Sequence, residues 1–157
     1  MRASKRTLAT TLAMAVVLMA VPASAGGATV ARGSFQTFAD GPGLGYDVDG
    51  IASMVRTASG KTLVSVNVTG LTPGATYGSH VHNQACANGN AGGHYRFDEP
   101  VVGGALDGFE IWPGPFTANP AGNANGKTTV FATAGADALS VVIHAPTGQK
   151  IACADLS

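Results

Sequence analysis

The sequence predicts an all-β domain, a sandwich or barrel of short strands. Three observations carry that expectation. Apolar and polar residues alternate over short segments, turn-forming residues punctuate those segments, and no segment shows the 3.6-residue period of an amphipathic helix. Residues 61–69 are the clearest case, with Val64, Val66 and Val68 alternating with Ser65 and Asn67, as a strand with one buried face requires. That segment stops at Gly70-Leu71-Thr72-Pro73-Gly74, where glycine and proline favour a turn.

In chain order, Arg2, Lys5 and Arg6 precede a mostly apolar stretch over residues 8–21, and Pro22-Ala23-Ser24-Ala25 closes it with small residues. This is the anatomy of a secretory signal peptide, too short in its apolar part for an ordinary membrane span. Cleavage is expected after Ala25, leaving one exported domain over residues 26–157, secreted or held in a periplasm or cell envelope. Strands are expected over residues 28–38, 50–57, 61–69, 77–82, 127–134, 139–144 and 149–152, with a tight hairpin turn at Asn125-Gly126. Between Cys86 and Phe116 runs a glycine- and proline-rich stretch with few strand signals, holding His94, Asp98, Glu99, Asp107, Glu110 and Trp112. A connection of that length is functional or disordered, and its load of titratable side chains favours function.

The whole chain carries nine basic and nine acidic residues. Three of the basic ones lie in the expected signal, which leaves six against nine and a net charge near −3 with histidine neutral. Without a basic patch, nucleic acid is not an expected partner. Two cysteines in an exported chain most simply make one disulfide. A bridge from Cys86 to Cys153 would close a loop of over sixty residues, worth about 4 kcal/mol in the chain-entropy picture.

The chain's four histidines are His80, His82, His94 and His144. On a strand, residues i and i+2 share a face, so His80 and His82 stand side by side while Val81 points to the core. By the same logic Val141 and Ile143 share one face and His144 takes the other with Val142, while His94 could reach in from the loop. Imidazole is a common neutral ligand of copper and zinc, and a mononuclear site takes about four donors. Zinc hydrolases also use His-x-His, but Asn83, Gln84 and Ala85 follow here in place of a further Asp and His.

Several motifs now resemble one family. The run Gly70-Leu71-Thr72-Pro73-Gly74, then Tyr77-Gly78-Ser79-His80-Val81-His82, Cys86 and Gly93-His94-Tyr95, resembles the copper/zinc superoxide dismutases. The segments Ser140-Val141-Val142-Ile143-His144 and Lys150-Ile151-Ala152-Cys153 resemble that family's last copper-ligand strand and its disulfide segment. The similarity runs from about residue 61 to the end and is weaker between Arg96 and Gly126. It implies a flattened Greek-key β-barrel, copper held by His80, His82 and His144, and His94 in the place of the histidine that bridges copper and zinc. It implies the Cys86–Cys153 disulfide as well. The implied activity is disproportionation of superoxide to oxygen and hydrogen peroxide by Cu(II)/Cu(I) cycling, with His94 aiding proton delivery.

Three departures from the family pattern shape the expectation. No histidine lies between His94 and His144, so the family's two dedicated zinc histidines are missing and zinc is not expected. Only eight residues separate His144 from Cys153, so the long charged loop that steers superoxide is absent. Both losses resemble the copper-only members. Lys150 stands where the family has an anion-guiding arginine; it keeps the charge and loses the planar fork. As a non-ligand, Lys150 is expected to leave copper affinity unchanged. Without zinc, His94 needs another partner for its second nitrogen. Glu110 is the first candidate and Asp98 the second, with Trp112 as a packing anchor for the loop. Two rivals stand beside the enzyme: a non-catalytic copper-binding protein of the same fold, for sequestration or delivery, and a structural β-sandwich with vestigial histidines.

Overall fold

In the computed structural model, residues 27–39, 41, 44–103 and 107–157 are described; the expected signal peptide over residues 1–25 lies outside them. Alternation along the sequence becomes two antiparallel sheets. One holds β1 (Thr29–Ser34), β3 (Asp49–Arg56), β4 (Thr62–Thr69) and β7 (Ala124–Val130), in the order β1-β3-β4-β7. The other holds β2 (Gln36–Thr37), β5 (Thr76–His82), β6 (Phe116–Thr117), β8 (Ser140–His144) and β9 (Lys150–Asp155), in the order β2-β9-β8-β5-β6.

The core lies between the sheets. Ala52 and Met54 of β3, Val64, Val66 and Val68 of β4 and Val130 of β7 face Tyr77 and Val81 of β5, Val141 and Ile143 of β8 and Ile151 of β9, all buried in one cluster. This is the arrangement that period-2 strands produce when two sheets pack face to face. Thr62 is buried among them because its hydroxyl donates to the Ala132 carbonyl and accepts from the Ala134 amide, each at 2.8 Å.

The second sheet is covered on both faces. The stretch after β5 folds back across its outer side, where Ala91, Val142 and Cys153 form a separate small cluster with Phe38 and Cys86. Every residue of β8 is therefore buried, which accounts for its unbroken apolar run. Cys86 and Cys153 are joined by a disulfide with Cα atoms 5.7 Å apart, pinning that stretch to β9. Among the described residues no helix is long and apolar enough to cross a membrane.

Two expected elements fall differently. The strand expected over residues 28–38 is broken at buried Phe35, so that β1 pairs with β3 and β2 pairs with β9. One run of chain thus passes from the first sheet to the second. Asn125-Gly126 is not a turn: both residues lie within β7, opposite Asn67 and Val66. Gly126 is needed there because a Cβ would collide with the Pro113 carbonyl, a close backbone approach that sequence alone cannot tell from a turn glycine. The turn lies earlier, where the Asn119 side-chain oxygen accepts from the amides of Ala121 and Asn123 at 2.9 and 3.0 Å.

Candidate metal centre

Strand β5 directs His80 and His82 to the face of the second sheet that the loop covers. Its neighbour β8 runs antiparallel with His80 opposite Val142 and Gly78 opposite His144, so His144 arrives one residue pair further along. The β8–β9 register shifts at this point: Ile143 pairs with Ala152 but His144 pairs with Lys150. The extra residue, Ile151, makes a bulge, a local device that re-aims a side chain. His94 is brought in by the returning chain. Asn83 N–H donates to the Gly93 carbonyl at 3.0 Å and Tyr95 N–H to the Val81 carbonyl at 2.9 Å, while the buried Tyr95 ring anchors this segment in the main core.

These contacts bring the four histidines together, with one ring nitrogen of each within 4.8 Å of the others. Hydrogen bonding shows which nitrogens are free. His82 Nδ1 faces the Ala91 carbonyl at 3.3 Å and His144 Nδ1 faces the Gly148 carbonyl at 3.0 Å. A carbonyl only accepts, so both rings carry their proton on Nδ1 and present a lone pair at Nε2. Those two Nε2 atoms lie 3.4 Å apart. With no proton between them this is not a hydrogen bond; it is a pair of acceptors converging on one point. His94 Nδ1 is engaged by Glu110 at 2.7 Å, which leaves its Nε2. His80 Nδ1 is buried without a hydrogen-bond partner, a costly arrangement unless something electrophilic meets it. The set could hold a metal ion.

Electrostatics agree with that use. Burial pushes the His80 imidazole down to about 2, and the neighbouring His94, His144 and His82 add to the effect. Burial likewise takes His82 down to about 3, helped by His94 and Lys150, and lowers His144. Neutral imidazoles are what metal ligation requires. A stability consequence follows for the metal-free protein. Below the ordinary histidine value of about 6.5 the unfolded chain binds protons that the fold refuses, so stability falls as pH drops through that value and keeps falling toward about 3. Urea unfolding of the metal-free protein between about pH 7.5 and pH 4.5 should show a steadily falling midpoint. The fall should be shallower in His80→Leu, and identical slopes in the two proteins would contradict neutral burial of His80.

Glu110 is the hub beside the centre. Its buried carboxylate takes the His94 ring at one oxygen, together with Trp112 Nε1 at 2.9 Å, and Arg96 at the other. Arg96 also bonds Asp107 at 2.7 Å. Asp98, the second candidate for His94, is exposed and makes no hydrogen bond to it. The two arms of the loop pair at Arg96 and Glu110, so the chain doubles back and brings the Glu110 side chain within reach of His94 while Asp98 lies further along the turn. Trp112 lies against His80 with ring centroids 4.1 Å apart. Lys150 directs its ammonium to the Asn90 and Gly92 carbonyls at 2.7 and 2.6 Å. Sequence reasoning missed Arg96 and the Ala91 and Gly148 carbonyls. A cation two residues after His94 was a visible signal for the first, whereas carbonyl partners leave none.

The centre opens to solvent through a depression of about 420 Å³ lined by His80, His94, His144, Gly78, Thr76 and Pro146. No protein-family model matches the chain, and no curated protein matches it.

Proposed function

We propose that this chain is an exported copper-only superoxide dismutase of the copper/zinc superoxide dismutase superfamily, disproportionating superoxide to oxygen and hydrogen peroxide at one copper per chain. The observation that carries the reading is the convergence of ring nitrogens from His80, His82, His94 and His144, with a carboxylate, Glu110, on the remaining nitrogen of His94. Four imidazoles suit Cu(II), which the Irving–Williams order favours over zinc. Copper would supply the one-electron redox change that dismutation needs. The rest falls to the protein. His80, His82 and His144 are held by buried strands, and burial favours their uncharged rings. His94 has a third of its side chain exposed (33%) and its Nδ1 fixed by Glu110, so it is the imidazole best placed to exchange a proton with solvent.

The same reading takes the two sheets as the flattened Greek-key barrel of that superfamily, with the passage through Phe35 linking them on one side. The Cys86–Cys153 bridge is compatible with an oxidising extracellular compartment, as export through the signal segment requires. Lys150 would lend positive charge beside His82 and His144.

Metal analysis tests the reading directly. Equilibrated with both ions, the protein should retain one copper and no second zinc, and the copper-loaded, disulfide-intact form should consume superoxide catalytically. A stable one-to-one copper–zinc product overturns the copper-only assignment. One observation favours a second reading, copper binding without turnover: the Lys150 ammonium already serves two carbonyls. Stoichiometric copper with no dismutation above that of free buffer components would select it.

A further inference from the structure

Residues 89–92 form a short left-handed turn. Gly89, Asn90, Ala91 and Gly92 have φ values of 52°, 53°, 65° and 64°. Glycine adopts this region freely and asparagine tolerates it, but alanine does not favour it. Ala91 is nevertheless held there, fully buried against Val142 and Cys153. The turn aims three successive carbonyls in two directions. Those of Asn90 and Gly92 meet at the Lys150 ammonium, and that of Ala91 between them faces His82 Nδ1.

We propose that Lys150 is a positioning residue whose ammonium locks this left-handed turn and thereby fixes the tautomer in which His82 presents Nε2 to the metal. The proposal rests on the metal-centre reading of His82 and deepens it. Two carbonyl dipoles pointed at one place repel unless a cation lies between them, and a charge-assisted pair of hydrogen bonds is a strong clamp. The bridge at Cys86 and the Asn83–Gly93 hydrogen bonds hold the ends of the segment. Its middle has the Lys150 clamp, the packing of Ala91 and the internal Gly92 N–H to Gly89 carbonyl bond at 3.2 Å. Release of the clamp lets the Ala91 carbonyl swing from His82. Nothing then prefers the proton on Nδ1, and the ring spends part of its time with Nε2 protonated and unable to ligate. On this proposal Lys150 supports copper affinity although its side chain is not a ligand.

Two variants separate the outcomes. Lys150→Met keeps the aliphatic stem and removes the ammonium, and Lys150→Arg restores two N–H donors to the same carbonyls. In the metal-free parent, imidazole ¹⁵N shifts should report His82 protonated at Nδ1. Lys150→Met should show a substantial Nε2-protonated population and about tenfold weaker copper binding, the scale of lost outer-shell support. Lys150→Arg should recover both. A purely structural lysine would lower thermal stability in Lys150→Met without moving the His82 tautomer. An unchanged tautomer with copper affinity within about twofold of the parent overturns the proposal. Should the parent bind no copper, the metal-centre reading fails on that count alone, and the tautomer measurement still decides the role of Lys150. Should Lys150→Met fail to fold, the comparison of parent with Lys150→Arg decides, a matching tautomer supporting the clamp and a lost one overturning it.

Discussion

Removing the Cys86–Cys153 bridge is expected to lower the unfolding free energy by about 4 kcal/mol, a large share of a small domain's total stability. The cysteines are 67 residues apart in sequence, so the bridge restricts nearly half the chain in the unfolded state. In the fold it lies beside the small cluster of Ala91 and Val142, and Cys86 N–H donates to Asp155 Oδ1 at 2.7 Å. The double variant Cys86→Ala, Cys153→Ala avoids a stray thiol near the histidines. Urea unfolding of this variant, of the reduced parent and of the oxidised parent should place the first two close together and well below the third. A loss under about 1 kcal/mol would mean that the chain is equally restricted without the bridge. Copper should also leave the variant faster, because the segment the bridge pins carries His94 and the carbonyl that His82 faces.

What the sequence made legible follows from which contacts obey a period. The alternation in β4 and the His80–His82 pair are period-2 patterns, and one buried face is enough to reveal them. The valines of β8 form a continuous run because the strand is covered on both sides, and His144 could still be placed on the face opposite Val141 and Ile143. Contacts between distant segments are another matter. The break at Phe35, the two-residue strand β6 and the glycine of Asn125-Gly126 each depend on a backbone that approaches from elsewhere. The sequence shows the charge of Lys150 and its distance from Cys153, whereas its partners are carbonyls sixty and fifty-eight residues away. Asp98 is near His94 in sequence only. Glu110, sixteen residues from His94, is near in space because the loop pairs with itself.

Glu110→Gln is expected to weaken copper binding by about 10- to 100-fold, the range found when the outer partner of a metal-bound histidine is lost. The carboxylate serves three donors, from His94, Trp112 and Arg96. Glutamine has the same shape but one accepting oxygen and one donating amide. Whichever way the amide turns, an N–H group meets a donor, so either Arg96 or the His94–Trp112 pair loses its acceptor. With Arg96 opposed, the loop loses the bond that joins its two arms. With His94 opposed, the imidazole is free to rotate and no longer holds Nε2 toward the other three rings. Either outcome disperses the donor set, and activity of the copper-loaded protein should fall with affinity. Asp98→Asn is the matched control, removing one negative charge from the same loop without touching His94, and it should stay within about twofold of the parent. Isothermal titration with copper under a competing chelator reads both. Equal losses in the two variants would assign the effect to the loop's charge rather than to the Glu110 contact, and parent-like affinity in Glu110→Gln would show that His94 is held by backbone geometry alone.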